Sequence, residues 1–169
     1  MHHEIEENPA DSIGLLVSLL IRYPEITAIN YEPERKVLRM SFLIEQVLSG
    51  EQFLNLTAKL KQHLAAHAYL KGSSPKINEI TNLTLEKCTF IEIHRDVDTI
   101  TREEISLLIQ LLSEEFAGAL IVDSRDNDQE EQEVQEELIG HMLEHFRVLN
   151  QHNKLFAYSE DGRVLVFNK

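Results

Sequence analysis

The sequence predicts an α/β fold with a mixed sheet of about four helices and six strands. A central parallel β-α-β crossover is expected, flanked by a helix–hairpin unit at each end. Three features predict it. Residues 88–122 read strand, helix, apolar strand, the order of a right-handed crossover whose second strand is buried on both faces. Each end of the chain reads as a helix followed by two short strands around a turn. A length of 169 residues with 43% hydrophobic content suits one sizeable core, so residues 1–169 are expected to form a single compact domain.

Asn8-Pro9 supplies an N-cap and a proline for the first helical position, and Pro24 ends what they start, which predicts a buried helix over 9–22. Ile26 to Tyr31 and Val37 to Ile44 follow as strands joined by Glu32-Pro33-Glu34-Arg35-Lys36. In the second run Leu38, Met40, Phe42 and Ile44 alternate with Arg39 and Ser41, so the first set belongs to the core face. Ser49 with Gln52 forms a capping box, and Gly72 with Pro75 closes the helix, whose apolar stripe is Phe53, Leu56, Leu60 and Leu64. Lys71 to Asn82 gathers Gly, Ser, Pro and Asn without periodicity and reads as a linker over 71–82. Were the chain built of two halves, 9–72 and 83–169, they would meet there.

Cys88 to His94 reads as a strand. Thr101 with Glu104 is a second capping box, opening a helix that ends at Gly118, and Ala119 to Val122 is the apolar strand that completes the crossover. Residues 123–133 are expected to be an acidic, mobile segment, because apolar periodicity begins only at Val134. Val134, Leu138, Met142, Phe146 and Leu149 then mark the inner face of a last helix. Asp161-Gly162 signals the closing hairpin between Leu155–Tyr158 and Val164–Phe167. Setting Tyr31 against Tyr158 also brings Val37-Leu38 onto Val164-Leu165 and Glu34 onto Asp161, so the two ends resemble one another.

Charge is distributed unevenly. Eight acids and one arginine between Asp123 and Glu137 supply minus 7 of a formal charge of minus 13, and the first eleven residues supply minus 4. The body of the chain is nearly neutral. Arg35 to Lys76 holds seven bases against Glu45 and Glu51, but no aromatic platform interleaves the basic positions, and a pI near 5.0 argues against nucleic acid as a partner. The longest apolar stretch, Ile13 to Ile21, is too short to cross a bilayer, which argues against a membrane. A single cysteine, Cys88, and the lack of a basic-then-apolar leader predict a reducing, cytoplasmic setting.

Chemistry is sparsely signalled. His141-Met-Leu-Glu-His145 matches the H-x-x-E-H pattern, but a catalytic zinc needs a third protein ligand and only 24 residues follow His145. His63 and His67 form a second pair one turn apart, with His67 near the centre of an apolar stripe. The run from Asp126 lacks the glycine a calcium loop requires, with Glu131 in its place. His94-Arg95-Asp96 spells a kinase tripeptide with none of its companion motifs. In the crossover, the carboxyl ends of the two parallel strands would share one edge. His94, Asp96 and Asp98 would there approach Asp123, Asp126 and Asp128, a hard-oxygen set suited to Mg²⁺ or Mn²⁺.

Two function classes follow. The preferred one is a non-enzymatic acidic interaction or regulatory protein, partnered by another protein or by itself, needing no cofactor. The alternative is a divalent-metal-dependent phosphoryl-transfer or hydrolytic enzyme using the strand-end carboxylates.

Overall fold

The computed structural model describes residues 9–123, 129–148 and 154–168, with side chains over 12–123, 132–147 and 154–167. Four helices and six strands follow the order α1 (Pro9–Arg22), β1 (Ala28–Glu32), β2 (Val37–Ile44), α2 (Gly50–Lys71), β3 (Asn78–Leu85), β4 (Cys88–Asp96), α3 (Arg102–Glu115), α4 (Gln129–Val148), β5 (Leu155–Glu160) and β6 (Arg163–Asn168). The strands form one sheet in the order β3-β4-β2-β1-β5-β6, and every ladder in it is antiparallel.

The expected parallel crossover is therefore absent. Ala119–Val122 makes a single antiparallel bridge, Leu120 to Ile44, in place of a buried strand. The reason is occupancy. The segment runs in the same direction as β4, but β2 lies between them and is already bonded to β4 along Val37–Ile44. On the other edge of β2, β1 takes Val37–Ser41, leaving room only for the Glu45 N–H to Ala119 carbonyl bond and the Ile121 N–H to Leu43 carbonyl bond. Ile121 and Val122 remain exposed. Nor is 71–82 wholly a linker, because its last five residues are the start of β3, pairing Asn78 with Arg95 and Asn82 with Ile91.

Local sequence rules explain most of the rest. Ser49 accepts a hydrogen bond from the Gln52 N–H while the Gln52 side chain accepts from the Ser49 N–H, and Gly72 takes the left-handed conformation that ends α2. In the β5–β6 turn Asp161 and Gly162 both have positive φ (49° and 76°), as the two-residue turn matched to strand twist requires.

Alternation sorts the sheet into two faces. On one, Leu38, Met40, Phe42, Ile44, Ile91, Ile93, Leu155 and Ala157 are buried in the same cluster as Leu15 and Leu19 of α1, Leu60 of α2, Leu108 of α3 and Ile139 and Phe146 of α4. All four helices thus cover this face. The other carries Leu83, Phe90, Leu43, Phe156, Tyr158, Leu165 and Phe167, and among the described residues no helix or strand covers it.

The two helix–hairpin ends meet at the β1–β5 ladder, and α1 packs on α4. Their sequence alignment nevertheless fails on parity. Tyr31 is buried on the helix side, edge-on to Phe146 at 4.7 Å between ring centroids, whereas Tyr158 stacks on Phe167 on the opposite face. A local twofold through two antiparallel strands relates residues on the same face, so Tyr31 and Tyr158 are not its counterparts.

Candidate interaction surface

Of the six residues proposed from sequence as a metal set, Asp96 and Asp123 are set apart by the antiparallel topology. Asp96 ends β4 opposite Val37, whereas Asp123 follows Ile121, which bonds to Leu43 at the other end of β2. Six residues of strand separate those levels, roughly 20 Å at strand rise. Asp126 and Asp128 lie outside the described residues. His94 faces the open side of the sheet, with its Nδ1 3.9 Å from Glu79 Oε2 and its Nε2 3.5 Å from Glu92 Oε2. Asp98 pairs with Lys76 at 3.2 Å and Lys36 at 4.0 Å. Asp123 accepts the Gly162 N–H at 3.0 and 3.2 Å, tethering the β5–β6 turn. Among the described residues no group of three or more His, Cys, Asp or Glu side chains is arranged to hold a metal ion.

Asp96 has a different use. Its Oδ1 accepts from the N–H groups of Lys76 and Ile77 at 3.1 and 3.0 Å and from Arg95 Nη1 at 2.5 Å, while Oδ2 accepts from the Thr99 hydroxyl at 2.7 Å. Burial pushes this carboxyl's pKa up, but the Ile77 N–H, the Thr99 hydroxyl and the Arg95 guanidinium outweigh it and hold the group below its ordinary value. Arg95 is the centre of the network. With a side chain 1% exposed, it forks onto Glu104 through Nε at 2.5 Å and Nη2 at 2.8 Å, and donates from Nη1 to the Ile77 carbonyl at 3.1 Å.

This corrects the second predicted capping box. Thr101 accepts from the Glu104 N–H, but the Glu104 carboxylate turns inward to Arg95. The result ties the end of β4, the entry to β3 and the first turn of α3 together. The signal was present in the sequence: Arg95 shares the inward parity of Thr89, Ile91 and Ile93.

The basic segment is similarly absorbed. Arg35, Lys36, Arg39, Lys59 and Lys76 each lie against a carboxylate from later in the chain, namely Glu79, Asp98, Glu92, Glu115 and Asp98. The fold thus partners five of the seven bases that sequence read as a lopsided patch.

What remains exposed and distinctive is α4. Its buried side is Ile139, Leu143 and Phe146, rotated from the predicted stripe, and Val134 and Leu138 stand 65% and 44% exposed. Leu149 lies outside the described residues, and Met142 is half-buried. His141 and His145 lie on the exposed side with them. Spacings of four, three and four residues put Val134, Leu138, His141 and His145 along one stripe, among Glu133, Glu137 and Glu144.

Beside this stripe, between α3 and α4, runs a cleft of about 570 Å³ whose walls include Arg102, Glu103, Glu137, Gly140 and His141. A second hollow of about 330 Å³ continues it past Ser106, Leu107 and Glu136, sharing Arg102 and Glu103. Its cations are engaged within the chain. Arg147 donates to the carbonyls of Val97 and Ile100 and to Glu144, and Arg102 donates to Glu103 at 3.4 Å. The same pairs engage Glu103 and Glu144, and Glu136 binds Arg22 at 2.6 Å, so the lining carries four glutamates against two arginines with much of its charge already paired.

No helix among the described residues is long and apolar enough to cross a membrane. Comparisons with known protein families, with curated proteins and with solved structures gave no match.

Proposed function

We propose that this protein is a non-enzymatic interaction or regulatory protein that presents the acidic outer surface of α4 to a basic protein segment. The observation that carries the reading is the exposure of Val134 and Leu138 amid Glu133, Glu137 and Glu144. Hydrophobic residues lying in a row among glutamates mark a binding surface more than a solvated face does. The partner that fits is an amphipathic helix, its apolar residues laid on Val134, Leu138 and the half-buried Leu107 and its Lys or Arg residues set against the glutamates.

A designed peptide of alternating Lys and Leu at helical spacing, compared with an all-lysine peptide of equal length, tests this by fluorescence anisotropy. Leu138→Ser is expected to weaken the amphipathic peptide about tenfold, the value of one buried leucine contact, and to leave the all-lysine peptide unaffected. Equal effects on both peptides, or none on either, would rule the α4 surface out.

A further inference from the structure

We propose that β6 is a self-association edge, at which a second copy of this chain adds its own β6 antiparallel to form a continuous twelve-stranded sheet. The proposal does not depend on the α4 reading, whose surface lies on a different element.

The two edges of the sheet are built differently. β3 is the more polar edge, with Asn78, Glu79, Thr81, Asn82 and Thr84 beside Ile80 and the exposed Leu83 and Leu85, and its one charge, Glu79, and its two asparagines weaken it as a template for another chain. β6 reads Arg-Val-Leu-Val-Phe-Asn, and β5 is its sole neighbour in the sheet. Val164 and Val166 pack against the core on the helix side, while Leu165 and Phe167 face the open side. No proline, bulge or inward charge blunts this edge, and among the described residues no strand bonds its outer row of backbone groups.

An identical strand matches this edge on both faces. About a twofold axis at Leu165, Leu165 meets its own copy, Val164 meets Val166, and Arg163 meets Phe167. Apolar rows continue apolar rows. The one charged residue of β6 is displaced from its copy and set against the ring of Phe167, which stacks with Tyr158 at 5.9 Å and Phe156 at 6.2 Å. A guanidinium at the end of such a stack gains cation–π attraction, so charge and shape select the same register. α1, which packs on β6, leaves Ile13, Val17 and Ile21 half-exposed, apolar flank that a second copy would further cover.

Sedimentation velocity over roughly a hundredfold range of protein concentration reads the state directly. The wild type is expected to shift from monomer to dimer across that range. Leu165→Lys and Leu165→Glu are each expected to remain monomeric, because like charges would face one another across the axis, and an equal mixture of the two is expected to dimerise again. Circular dichroism checks that each variant is folded. Arg163→Glu, at an exposed position, keeps the test open should Leu165 variants fold poorly, and is expected to weaken dimerisation about threefold or more. Leu54→Lys, on the exposed side of α2, should leave the dimer intact. A wild type monomeric throughout would overturn the proposal, as would a dimer indifferent to both Leu165→Lys and Arg163→Glu, or one abolished by Leu54→Lys. Failure of the Lys and Glu variants to pair would overturn the register.

Discussion

Replacing Arg95 by Met is expected to be the most damaging single change outside the apolar core. The substitution keeps most of the aliphatic volume and removes the guanidinium. Two carboxylates are then left without their common cation, with side chains 4% exposed at Glu104 and 3% at Asp96. Breaking a buried ion pair by deleting one partner costs about 3–5 kcal/mol, because the remaining charge is desolvated without compensation. For a domain of this size each kcal/mol moves Tm by about 2–4 °C, so a fall of about 10 °C is expected.

Urea unfolding followed by circular dichroism measures the loss at constant pH. The same argument predicts that the double variant Arg95→Met, Glu104→Leu recovers roughly 2 kcal/mol of it, since a hydrophobic replacement carries no orphaned charge. Asp96 would keep the N–H groups of Lys76 and Ile77 and the Thr99 hydroxyl. A loss under about 1 kcal/mol for the single variant, or a double variant no more stable than the single, would refute the view that burial of unpaired charge dominates at this site.

Three further outcomes follow from the same structure. Phe146→Ala is expected to cost about 3–5 kcal/mol, since the ring is 3% exposed and edge-on to Tyr31, whereas Leu138→Ala should stay within about 0.5 kcal/mol, a contrast that thermal unfolding resolves. Because the Asp96 carboxyl sits below its ordinary 3.8 in the folded protein, its stabilisation is fully present above the unfolded pKa and is lost as pH falls through the folded value; the stability difference between wild type and Asp96→Asn should therefore be constant near neutrality and shrink only below about pH 4. Ser49→Ala, which removes the capping box of α2, should destabilise the protein by about 1 kcal/mol in the same urea assay, with no change in m-value.

What the sequence determined by itself is local. Proline and capping residues bounded α1 and α2, alternation assigned the core face of β2, and Asp161-Gly162 set the last hairpin, because each depends on backbone stereochemistry or on a period read within one element. Tertiary structure decided which elements are neighbours. The order strand, helix, apolar strand at 88–122 is compatible with a parallel pair, and only the prior claim of β2 on the edge of β4 reduces Ala119–Val122 to one bridge. That pairing fixes which ends of the sheet coincide, so it also decided that Asp96 and Asp123 stand far apart.

Helix α4 shows the same division. Five apolar positions on a 3.6-residue helix permit more than one inner face, and contact with α1 and Tyr31 selected Ile139, Leu143 and Phe146, leaving Val134 and Leu138 outside. The inward parity of Arg95 was written in β4 from the start. Its meaning was not, because a buried cation is stable only against carboxylates, and Glu104 reaches it only when α3 folds back over the sheet.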